Sequence, residues 1–120
     1  MSGLTFDETI HELRQFVGDD VFVAFQVQPL ATDDWIAAGT LHGRLSDEVT
    51  IDDETGAVHF VVGDPLGTGG GSFLVHPSEF LRAWWHDEDG PPGTIQIGQT
   101  DILTGVSRVK YLRSRPSTYR

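Results

Sequence analysis

In the stretch DVFVAFQVQP, residues 20–29, every second position is apolar. Val21, Val23, Phe25 and Val27 fall on one face, and Pro29 stops the run. A helix would spread these four around its axis, whereas a strand aligns them, so the stretch commits the chain to a sheet with one buried face. The next run, WIAAGTLHGRL (35–45), continues as a strand interrupted by Gly39 and Gly43. Glycine inside a strand marks a bulge or a sharp bend, as at a barrel corner. VTIDDETGAVHFVV predicts a hairpin with strands over 49–51 and 57–62, and Gly56 suits a left-handed turn position.

Two segments carry helical signals. Thr5-Phe6-Asp7-Glu8 has the form of a capping box, in which the Thr5 hydroxyl accepts from the Glu8 amide and Glu8 reaches back to Thr5. Phe6, Ile10, Leu13 and Val17 follow at helical spacing, with Gly18 as the terminating residue. SFLVHPSEFLRAWWH (72–86) predicts a short strand that turns into a second short helix at Pro77, with Phe80, Leu81, Trp84 and Trp85 as its apolar stripe. Neighbouring helical positions point about 100° apart, so one indole belongs to the core and the other to the surface. Phe80 and Leu81 precede Trp84 at i−4 and i−3, which assigns Trp84 to the core and leaves Trp85 as a contact residue.

TIQIGQ (94–99) and ILTGVSRVKYL (102–112) add further strands, SRVKYL (107–112) being expected at a sheet edge. The expected fold class is α+β: a mostly antiparallel, strongly bent sheet or small barrel with an N-terminal helix and a second short helix. Residues 1–112 form a single domain, and 113–120, interrupted by Pro116, are a basic flexible tail.

Charge sharpens the picture. The 120 residues carry a net charge of −10, yet Arg108, Lys110, Arg113, Arg115 and Arg120 all lie in the last fourteen positions, where there is no acid. The preceding body holds 18 acidic against three basic residues, or −15. Such a body repels phosphate backbones, so nucleic-acid binding by it is disfavoured. The chain has no cysteine, which removes disulfides, thiolate metal sites and a cysteine nucleophile together and fits a cytoplasmic location. No apolar run is long enough to span a bilayer.

Candidate chemistry is sparse. GDPLGTGGGSF (63–73) lacks the lysine of a phosphate-binding loop, and Ser72 stands where a dinucleotide fingerprint needs glycine, so the glycines are expected to join two strands. His11, His42, His59, His76 and His86 show no metal-ligand spacing. Asp52-Asp53-Glu54 and Asp87-Glu88-Asp89-Gly90 share composition, but not spacing, with calcium loops.

GTLHGRLSD (39–47) is similar to the G-x-L-x-G-x-L segment in the bent second strand of Sm-like small β-barrels, and the order of elements over residues 5–63 follows that family. The resemblance implies a small barrel and assembly through exposed strand edges. The chain shows no counterpart to the family's second RNA-binding motif, and its acidity is wrong for RNA. Residues 58–85 resemble a segment of bacteriocin-processing, papain-like cysteine peptidases. There Asp64 would stand at the position that orients the catalytic histidine, but without cysteine no thiolate nucleophile can form.

The sequence therefore points to a non-enzymatic, cofactor-free domain that acts by contact with a protein partner or by self-association. Trp85, Arg108, Lys110, Arg113 and Arg115 are the candidate contact residues. The alternative is a small-ligand or hydrolase-like site built from His42, His59 and Asp64 near the glycine loop.

Overall fold

The computed structural model describes residues 3–28, 36–63, 70–86 and 93–110. Helix α1 (Phe6–Arg14) opens on the capping box expected from sequence: the Glu8 amide donates to Thr5 Oγ1 at 3.1 Å, and the Thr5 amide donates to Glu8 Oε1 at 2.8 Å. The helix ends earlier than its apolar spacing predicts, with Gln15 as the C-cap. Gly18, at φ 90°, reverses the chain three residues later, and its amide donates to the Leu45 carbonyl at 2.9 Å. The turn brings Phe16 fully under cover beside Leu13.

Among the described residues eight strands follow: β1 (Asp20–Val27), β2 (Ile36–Leu45), β3 (Thr50–Ile51), β4 (Val58–Gly63), β5 (Gly71–Val75), β6 (Phe80–Trp85), β7 (Thr94–Gln99) and β8 (Ile102–Arg108). All pairings are antiparallel, in the order β3-β4-β2-β1-β8-β7-β6, with β5 on the other side of β4. Among the described residues the product is a curled half-barrel sheet with α1 as its one full helix. Its inner face is the period-two set: Val21 and Val23, Val58, Phe60 and Val62, Phe73 and Val75, Ile95 and Ile97 are all buried. α1 adds Leu13 to this core, and the turn after it adds Phe16.

The bends arise where glycine relaxes the strand. The β1–β2 register slips between Phe25, opposite Gly39, and Gln26, opposite Ala37, which leaves Ala38 as a bulge. Gly43, opposite Val21, takes φ 156°. In the β3–β4 hairpin Gly56 has φ 77°, the left-handed turn position. β4 and β5 pair directly, so the glycine-rich stretch does join two strands, although its residues 64–69 lie outside the described set.

Two expectations are corrected. The second short helix is absent from Phe80–Trp85, which is strand β6, paired with β7 from Phe80 opposite Gln99 to Trp85 opposite Ile95. Pro77 sits in a turn and starts no helix. Leu81, Arg82 and Ala83 favour helix, but ladder bonds to β7 and the Leu4 amide's 2.7 Å bond to the Ala83 carbonyl override that local preference. The edge strand expected over 107–112 is not formed by its described residues, 107–110, either. β8 runs between β1 and β7, ends at Arg108, and is interior to the sheet; residues 111 and 112 lie outside the described set.

Candidate functional site

Strand geometry reverses the roles assigned to the tryptophans. Successive strand residues face opposite sides. Trp85 therefore joins Ala83 on the inner face and stacks on Phe16 (centroids 6.1 Å apart), while Trp84 faces outward with the Arg82 guanidinium 4.3 Å above its ring. The core indole is Trp85, not Trp84.

Arg108 lies on the same end of the barrel. Its guanidinium sits 4.2 Å over the Phe16 ring, donates to the Gln15 carbonyl at 2.9 Å, and pairs with Asp19 at 3.1 Å. Lys110 reaches Asp19 at 3.7 Å. Trp85 and Arg108 both pack on the Phe16 ring, and these contacts fasten the turn after α1 to the sheet. Three of the five sequence-derived contact residues converge here, and all three engage the chain's own atoms. Arg113 and Arg115 lie outside the described residues.

The histidine alternative loses its geometry. β2 meets β4 with Arg44 opposite Gly63 and Leu45 opposite Val62, so His42 lies beyond one end of that ladder and His59 beyond the other. His42 stands opposite Phe22, and His59 stands opposite Thr50 and Leu74. Asp64 is outside the described residues, and among those described no group of three or more His, Asp or Glu side chains could hold a metal ion.

Two surfaces that sequence reasoning missed are concave. The larger, about 530 Å³, is the outer face of β2, β1, β8 and β7. Its register row Thr40–Ala24–Gly105–Gln96 makes a small-residue floor, and none of its lining residues is charged. The strand backbones beneath that floor already belong to the ladders, so the face offers contact through side chains.

The second surface is different because one strand edge lacks a strand partner there among the described residues. β5 is bonded to β4 on one edge only, and the next strand, β6, pairs with β7. Among the described residues no strand closes this seam. A side chain does so instead: Gln99 Nε2 donates to the Leu74 carbonyl at 3.0 Å, and the His76 amide donates to Gln99 Oε1 at 2.8 Å. One carboxamide thereby presents the donor and acceptor that a neighbouring strand's peptide group would present.

Hollows of about 320 Å³ and about 260 Å³ share Leu74, Gln99 and Ile102 in their walls. Phe25, Phe73 and His59 are among the other residues of the first, and Glu79 and Asp101 line the second. Leu74 is 51 % exposed and Ile102 41 %, high values for aliphatic side chains on an acidic chain. Apolar side chains beside an incompletely paired strand edge are the ingredients of strand-addition recognition. A scan against protein-family models and searches of curated proteins and of solved structures find no match to this chain.

Proposed function

We propose that this chain is a non-enzymatic, cytoplasmic protein-interaction and assembly domain that receives an extended polypeptide along the β5 edge. The observation that carries the proposal is the Gln99 carboxamide standing in for a strand at Leu74 and His76. A peptide adding to this edge gains main-chain hydrogen bonds, while the hollows around Leu74 and Ile102 accept alternate side chains. Assembly through strand edges is the part of the Sm-like resemblance that this proposal keeps. The histidine-based alternative gains no support from a register that keeps His42 and His59 apart.

The test is a peptide array probed with the full chain and with Leu74→Lys. Leu74 is half exposed, so the substitution leaves the melting temperature near that of the parent chain. Binders are expected to be extended, apolar-containing sequences that lose the Leu74→Lys variant. An array whose binders all tolerate Leu74→Lys contradicts the proposal.

A further inference from the structure

Across the outer face, the register row Thr40–Ala24–Gly105–Gln96 continues on β6 to Trp84. Arg82 shares that face, two residues before Trp84, and lays its guanidinium over the indole. Its stem crosses Gly98, where a Cβ would come within 3.8 Å of Arg82 Cγ. Gly98 in turn stands opposite Leu103, a wall of the 530 Å³ hollow. The cation therefore sits at the rim of an otherwise uncharged concavity.

Two polar groups at that rim lack partners. The chain holds 18 acidic residues, yet among the described residues the Arg82 side chain makes no hydrogen bond and no ion pair. Its flat face is taken by Trp84, which leaves the in-plane N–H groups, a fork that matches a carboxylate. The Gln96 carboxamide has no partner among the described residues either. It lies over Gly105, where a Cβ would meet Oε1 at 3.2 Å and Nε2 at 3.4 Å and press on the amide. Beside it, Ala24 and Gly39 keep the floor low while Phe22 and Leu103 rise as walls. The hollow has the volume of a small-molecule site, and its floor suits a flat ring. With a net charge of −10, the protein penalises each further negative charge, which favours a monoanion over a phosphate.

We propose that this face binds a small aromatic carboxylate. Its ring lies beside Ala24 and Leu103, its carboxylate faces the Arg82 guanidinium, and the Gln96 amide donates to the same group. The site is independent of the β5 edge.

The test is an NMR titration of the full, nitrogen-15-labelled chain with 2-naphthoate, 2-naphthamide, 2-naphthyl phosphate and acetate. 2-Naphthoate should give saturable shifts at the Gly105 amide, the Gln96 side-chain amide and the Trp84 indole N–H. The amide lacks the charge and acetate lacks the ring, so each should bind about tenfold more weakly or worse. The phosphate should also bind more weakly than the carboxylate. Arg82 is exposed, so Arg82→Gln should keep the thermal melt near that of the parent. The same variant should weaken 2-naphthoate by about tenfold or more and leave 2-naphthamide unchanged. No saturable shift, or shifts confined to other faces, overturns the proposal. So does a 2-naphthoate affinity that is equal in Arg82→Gln and the parent, or that the amide or the phosphate matches in the parent.

Discussion

Asp52 holds the β3–β4 turn with one oxygen, which accepts from the Thr55 hydroxyl at 2.6 Å and from the Thr55 amide at 2.8 Å. The hydroxyl bond, then the amide bond, keep its pKa below the ordinary carboxylate value, with a smaller contribution from the charge of His76. A lowered folded-state pKa stabilises the fold above the ordinary value, and that contribution is lost as pH falls through the lowered one. Thr55→Val should therefore raise the Asp52 pKa toward its ordinary value in an NMR titration. The stability gap between parent and variant should narrow as acid protonates the carboxylate in both. At the core, Trp85→Ala removes the ring stacked on Phe16 and should cost about 3 kcal/mol in chemical denaturation. Trp84→Ala removes an outward ring under Arg82 and should cost well under half of that. Which indole packs against the core was not legible from sequence, because that assignment depends on whether the backbone around both residues is helix or strand.

At the level of elements, legibility followed the locality of the cause. The capping box, the period-two face of β1 and the left-handed Gly56 are settled by neighbours within a few residues, and each was expected. β6 was misread because what makes it a strand is β7 and Leu4, and β8 was misplaced because its partner β1 lies some eighty positions earlier in sequence. The seam at β5 was invisible for the same reason. A glutamine at the end of TIQIGQ gives no sign that its carboxamide will bond Leu74 and His76, 25 and 23 positions away. Gln99→Leu leaves that amide and carbonyl without their partner and should destabilise the chain by about 1–3 kcal/mol. Amide exchange at His76 should accelerate correspondingly. Gly56→Ala forces a left-handed alanine whose Cβ would meet the Pro77 ring at 3.3 Å, and should cost on the order of 1–2 kcal/mol.

For the whole molecule, charge and the opening in the sheet bear on association together. Part of the basic segment already meets the acidic body within the chain, since Arg108 and Lys110 both pair with Asp19. Association through the β5 edge should weaken as salt is added, because partner cations facing Glu79 and Asp101 are exposed and screened. Association through the uncharged outer face should strengthen instead, since salt would relieve repulsion between two bodies of like charge. Methyl NMR on dilution separates these surfaces most directly, because each carries its own probes. The account predicts concentration-dependent shifts for Leu74 and Ile102 in the groove, with Ala24 and Leu103 on the outer face unchanged. Movement of Ala24 and Leu103 while Leu74 and Ile102 stay fixed would contradict it.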